Sequence, residues 1–155
     1  MSTVQLNRKV PAFSAAATGG QTVKLSDFRG KKLVLYFYPR DNTPGCTTEG
    51  QDFRDHYKQF RRLDTEVLGV SRDSVASHEK FRAKQDFPFE LLSDEDEKLC
   101  RLFDVIREKN LYGRKVMGIE RSTFLIDADG KLRREWRKVR VKGHVEEVLE
   151  AVRAL

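Results

Sequence analysis

Cysteine is scarce in this chain, with only Cys46 and Cys100 among 155 residues. Two cysteines exclude a disulfide-rich secreted scaffold. They stand far apart and form no CxxC pair, which argues against a structural zinc site and against a thioredoxin-type dithiol. No apolar run is long enough to cross a bilayer, and residues 1–9 lack the apolar centre of a secretory signal. Internal repeats, low-complexity segments and long linkers are absent as well. The expectation is a single domain over residues 1–155, without a membrane, in a reducing cytoplasm. His56, His78 and His144 are scattered without metal-ligand spacing, so they read as surface or helix-end residues and no metal is expected.

What is present suits a folded, well-solvated protein. Hydrophobic residues make up 39%, enough for a core, and charged residues 35%. The net charge of +6 is a modest excess, and such charge bears on binding rather than on fold. The most basic stretch, Lys131 to Lys142, reads as a solvated strand with its exit loop. A site for an acidic partner or nucleic acid is the alternative reading of that stretch.

Periodicity predicts alternating strands and helices. Short extended pieces surround Gly19-Gly20, and the strand at Lys32 to Tyr38, with its apolar run Leu33 to Tyr38, reads as central and covered on both faces. Phe53, Tyr57 and Phe60 recur at helical spacing over Cys46 to Leu63. Val67 to Ser71 reads as a strand, Asp73 to Gln85 as a helix, Phe87 to Leu92 as an extended piece and Glu95 to Val105 as a helix. A polar loop through Asn110 and Gly113 follows. Ser122 to Asp127 and Lys131 to Val139 form strands joined at the Asp129-Gly130 turn, and His144 to Leu155 is an amphipathic helix. The pattern predicts an α/β domain with a mixed sheet.

The most informative stretch is Tyr38-Pro39-Arg40-Asp41-Asn42-Thr43-Pro44-Gly45-Cys46-Thr47-Thr48-Glu49. It ends a buried strand, breaks at two prolines and a glycine, and puts Cys46 at the predicted start of a helix. Unpaired backbone N–H groups and the positive end of the helix dipole meet there, and both favour a thiolate, the reactive form of sulfur. An inert buried cysteine is the bland alternative.

The spacing Pro39-x-x-x-Thr43-x-x-Cys46 resembles the active-site signature of the peroxiredoxins. The longer string is similar to their Q subfamily, the bacterioferritin comigratory protein type. A second block, Gly118-Ile119-Glu120-Arg121-Ser122-Thr123-Phe124-Leu125-Ile126-Asp127, resembles the segment that carries the family's arginine. The resemblance spans nearly the whole chain. It implies a thioredoxin-like fold and thiol-dependent reduction of hydrogen peroxide and organic hydroperoxides, with no cofactor.

On that resemblance Cys46 is the peroxidatic nucleophile, oxidised to a sulfenic acid as water or alcohol leaves. Arg121 supplies a permanent charge and a planar fork of donors. The Thr43 hydroxyl aligns the peroxide, Pro39 shapes the pocket, and the N–H groups of Gly45 and Cys46 are further donors. Glu49 either bonds back to the helix start or orients an arginine. For Thr43, Pro39 and Arg121 the competing readings are a turn, a strand end and a surface arginine.

The chain departs from the subfamily in its second cysteine. Many Q-type members resolve the sulfenic acid with a cysteine five residues on, where this chain has Gln51. Others use the next helix, which here includes Arg82 and no cysteine. Cys100, between Leu99 and Leu102, reads as a packing residue, with a resolving role as the alternative. The expectation is a one-cysteine mechanism with thioredoxin, glutaredoxin or a small thiol as external reductant. A two-cysteine route through Cys100, a redox sensor and a non-enzymatic basic binding module remain alternatives. The resemblance favours a monomer over a dimer.

Overall fold

A strand that is apolar and buried at every position after its first must be covered on both faces, and Lys32–Phe37 sets the layering of this protein in that way. The computed structural model describes residues 4–155. In chain order the strands are β1 (Ser14–Ala17), β2 (Gln21–Lys24), β3 (Lys32–Phe37), β4 (Thr65–Ser71), β5 (Leu91–Ser93), β6 (Ile106–Leu111), β7 (Arg114–Ile119), β8 (Ser122–Ile126) and β9 (Leu132–Trp136). The helices are α1 (Pro44–Arg62), α2 (Val75–Gln85), α3 (Lys98–Leu102) and α4 (His144–Arg153). The main sheet runs β2-β1-β5-β4-β3-β8-β9. β3 and β5 flank β4 in parallel, while β8, β9, β1 and β2 join antiparallel, so the sheet is mixed as predicted.

Alternation along β3 creates two cores. Leu33, Leu35 and Phe37 pack with Leu68, Val70, Phe103, Phe124 and Ile126 on one face. Val34, Tyr36 and Tyr38 pack on the other with Phe53 and Phe60 of α1, Phe81 of α2 and Val148 and Leu149 of α4. Burying each such side chain stabilises the fold by roughly 1.5–3 kcal/mol. Tyr36 stacks on Phe53 with ring centroids 4.5 Å apart, which docks α1 on the strand that leads into it.

The helix of the cysteine stretch begins at Pro44, two residues before Cys46. Proline suits this first position because its missing N–H would have no intrahelical acceptor there. The segment expected as a polar loop through Asn110 and Gly113 is instead a hairpin, β6 with β7, paired from Ile106↔Ile119 to Leu111↔Arg114. Its two-residue turn has Tyr112 at φ 52° and Gly113 at φ 79°, a left-handed conformation that glycine adopts at no steric cost. The hairpin stands apart from the main sheet, so both its faces carry polar residues and no alternation marks it. Among the described residues no helix is long and apolar enough to cross a membrane.

Candidate active site

β3 leads through Tyr38 and Pro39 into the start of α1, and β8 begins just after Arg121. Because β3 and β8 pair antiparallel, with Phe37 opposite Ser122, the cysteine stretch and the arginine block meet at one end of the sheet. Cys46 is the third residue of α1 and is buried, 2% exposed. No side chain caps the helix, because the Thr43 hydroxyl turns away and donates to the Arg40 carbonyl at 2.8 Å. The N–H groups of the first turn, those of Gly45 and Cys46 included, therefore face the site without a capping oxygen, and no acidic residue lies in that turn. The Thr43 oxygen keeps its lone pairs to accept a hydrogen.

Arg121 connects the site. Its Nη2 donates to Cys46 Sγ at 3.4 Å, while its Nη1 is bonded to Glu49 Oε1 at 2.5 Å. Burial works against its charge, but Glu49 and Cys46 hold its pKa above the ordinary value. The guanidinium lies so close over the helix start that a Cβ on Gly45 would meet Nη2 at 3.1 Å. Glycine at this position gives the arginine its room.

Glu49 is fully buried, and its Oε2 finds no partner among the described residues. Burial pushes its carboxyl up to about 7, against the pull of Arg121. Of its two expected uses, orienting the arginine is the one realised. Pro39 is half-buried at the strand end, between Tyr38 and the turn.

Cys100 lies elsewhere. It packs with Leu99 and Phe103 on the face of the sheet opposite to Cys46, and its N–H donates to Asp94 Oδ2 at 2.7 Å. Burial first, then the Asp94 carboxylate, pushes its thiol well above the ordinary cysteine range. Arg82 of α2 donates to the Phe89 carbonyl, and the Gln51 amide donates to Gln85.

Lys109 of β6 is a contributor that sequence reasoning missed. It bonds the Ile119 carbonyl, two residues before Arg121, and burial followed by repulsion from Arg121 lowers its pKa. Its signal was hidden in a segment without visible period. Of the histidines expected at the surface or at helix ends, His144 does stand at a helix end and His78 stands at neither. His144 opens α4 but is buried between Phe53 and Trp136, 2.8 Å from the Thr123 hydroxyl, and burial drops its pKa to about 4. His78 is fully buried on the inner side of α2. Its ring, Asp41 and Asp73 bring possible ligand atoms within 4.8 Å of one another, but those atoms are engaged in hydrogen bonds within the protein.

The basic stretch is partly used internally. Arg137 donates to the Phe103 and Asp104 carbonyls, Arg133 pairs with Asp127, and Arg134 lies over Trp136 at 4.9 Å.

Comparison with known proteins shows the family of the chain. The AhpC/TSA family matches residues 6–135. Peroxiredoxin Bcp of Bacillus subtilis is 52% identical over 151 residues, covering 97% of this chain and 96% of that protein. The chain belongs to the AhpC/TSA family, in its peroxiredoxin Q, or bacterioferritin comigratory protein, branch. A structure of the Xanthomonas campestris bacterioferritin comigratory protein, described for its alkyl peroxide reduction activity, is 53% identical with a TM-score of 0.88, covering 92% of this chain and 90% of that one. Xylella fastidiosa PrxQ is 47% identical with a TM-score of 0.93, covering 99% of this chain and 98% of that one. The thioredoxin-like fold is therefore shared, and the chain is a thiol-dependent peroxidase acting on peroxides with thiol reductants.

Proposed function

We propose that this peroxidase works as a one-cysteine monomer, a single domain whose Cys46 reduces hydrogen peroxide and organic hydroperoxides. The observation that carries the reading is the buried Cys46 sulfur at an uncapped helix start, held 3.4 Å from the Arg121 guanidinium. The thiolate attacks the terminal peroxide oxygen, and the O–O bond breaks. Its electron pair passes to the second oxygen, which leaves as water or alcohol after taking a proton. Arg121 and the N–H groups of Gly45 and Cys46 stabilise charge on the oxygens in transit. Thr43 accepts from the peroxide hydrogen, and Pro39 keeps bulk water from the sulfur. Glu49 holds the guanidinium.

An external thiol then attacks the sulfenic sulfur and displaces water, and a second thiol releases Cys46 reduced. The location of Cys100 across the sheet, with its thiol kept protonated, supports an external thiol over an internal disulfide. Thioredoxin, glutaredoxin or a small thiol fits this role, and such a reductant suits a reducing compartment such as the cytoplasm.

The test is intact mass under non-reducing conditions after one equivalent of hydrogen peroxide, for wild type and Cys46→Ser. Gain of one oxygen, absent in Cys46→Ser, is the expected result. An unchanged wild-type mass would overturn the proposal, and loss of two hydrogens within one chain would replace it with a two-cysteine route.

A further inference from the structure

The turn that carries Pro39 and Thr43 is held from inside by one side chain. Between Tyr38 and Cys46 only Asp41 is buried, while Arg40, Asn42 and Pro44 are exposed. The Asp41 N–H donates to Asp73 Oδ2 at 2.9 Å, in the connection between β4 and α2, and the same oxygen accepts from Ser71. Its carboxylate accepts from the Tyr38 hydroxyl at Oδ1 and from the Ser77 hydroxyl at Oδ2, both at 2.7 Å. The Nδ1 of His78 lies 2.8 Å from Oδ2.

The proton count in this network follows from its geometry. The second ring nitrogen of His78, Nε2, lies 2.9 Å from the Leu92 carbonyl of β5. A carbonyl oxygen only accepts, so Nε2 carries a hydrogen. Nδ1 and Asp41 Oδ2 cannot face each other as two acceptors, so another hydrogen lies between them. Burial opposes charge on Asp41, but the bonds from His78, Tyr38 and Ser77 hold its carboxyl below the usual range. The two side chains are both buried, share one hydrogen between Nδ1 and Oδ2, and have every polar atom in a hydrogen bond.

This pair stands next to the reacting groups without touching them. The Thr43 hydroxyl bonds its own turn through the Arg40 carbonyl, and the Thr43 carbonyl accepts from Thr47 in the first turn of α1. Asp41 lies inside the turn that the first of these bonds closes, so whatever fixes Asp41 also fixes the Thr43 hydroxyl and the start of the helix that presents Cys46.

We propose that Asp41 and His78 are positioning residues of the peroxidase reaction: a buried, hydrogen-bonded histidine–carboxylate clasp that holds the Pro39–Thr43 turn over Cys46. The inference rests on the reading of Cys46 as the peroxidatic nucleophile. The clasp serves the peroxide step, which needs aligned donors around the O–O bond and is sensitive to displacements of about 1 Å. Attack of a small thiol on the sulfenic acid does not need that alignment.

The test measures two rates separately: oxidation of Cys46 by hydrogen peroxide, and reduction of the preformed sulfenic acid by dithiothreitol. Wild type is compared with Asp41→Asn, His78→Phe and the double variant. The expected result is at least ten-fold slower oxidation in each single variant. The double variant is no slower than the slower single one, and the thiol step stays within two-fold. Asp41→Asn is nearly isosteric and its amide can still bond Tyr38 and a neutral ring, so it carries the test if His78→Phe fails to fold. A folded Asp41→Asn oxidised at the wild-type rate would overturn the proposal, and so would equal slowing of both steps. Wild-type protein that peroxide leaves unoxidised would remove the peroxidase reading itself, a failure told apart from the clasp's own by the wild-type rate alone.

Discussion

Arg121 serves two partners at once, Glu49 through Nη1 and the Cys46 sulfur through Nη2, and only a planar fork of donors spans both. A lysine there keeps the charge but offers one compact ammonium. Arg121→Lys is therefore expected to slow Cys46 oxidation on the order of 10²-fold, as loss of one preorganised donor does elsewhere; stopped-flow mixing with hydrogen peroxide checks it, and a wild-type rate would mean that charge alone suffices. Glu49 makes a prediction about stability. Burial raises its folded pKa to about 7 from an ordinary 4.5, so the folded state favours the protonated form. Its stabilising contribution is full below about pH 4.5 and is lost as pH rises through 7, roughly 3 kcal/mol at 1.36 kcal/mol per unit. Urea unfolding from pH 4.5 to 8 should show wild type losing stability relative to Glu49→Gln across that window; a constant difference between the two would sink the assignment. The sequence pointed to Cys46 and Arg121 because motif spacing carries them, and it left Glu49 open between the helix start and an arginine. It did not reveal the burial of His78 and His144, since the partners that satisfy a buried ring come from strands and helices distant in the chain.

The elements that hold the site were largely legible where hydrophobic period was strong. β3 and β8 are short apolar runs, and α1 and α4 carry apolar stripes, so strand and helix followed from spacing. The β6–β7 hairpin was illegible because Arg107, Glu108, Lys109 and Asn110 face Gly118, Met117, Val116 and Lys115 in a two-stranded ribbon with no continuous buried face. Lys109 was missed along with it. The start of α1 allows a prediction that separates helix stability from function. Gly45 has an ordinary backbone conformation, so Gly45→Ala should leave the thermal midpoint unchanged or raise it. The added methyl meets Arg121 Nη2 at 3.1 Å, however, and the guanidinium must shift by a few tenths of an ångström. A several-fold slower oxidation of Cys46 in an equally stable protein is expected from paired rate and melting measurements; a lower midpoint with an unchanged rate would show that the glycine serves the helix and not the arginine.

At the scale of the whole molecule, the sheet divides the two thiols. Cys46 belongs to the core beneath α1, α2 and α4, and Cys100 to the core on the opposite face with Leu99 and Phe103. A disulfide needs Cα atoms within roughly 7 Å of each other, and two side chains on opposite faces of a continuous seven-stranded sheet meet that only after one layer unfolds. The attacking form of Cys100 is also suppressed, because burial and the Asp94 carboxylate both favour the protonated thiol. Cys100→Ser should therefore keep turnover with an external thiol within about two-fold of wild type, below the tenfold that 1.4 kcal/mol represents. It should lose stability instead, by about 1–3 kcal/mol, because a hydroxyl replaces sulfur in an apolar layer. Steady-state peroxide consumption and urea unfolding, measured on the same preparation, separate the two effects. If turnover collapsed with every reductant while the protein remained folded and Cys46 still oxidised normally, the sheet would have to open during each cycle, and Cys100 would be the resolving thiol.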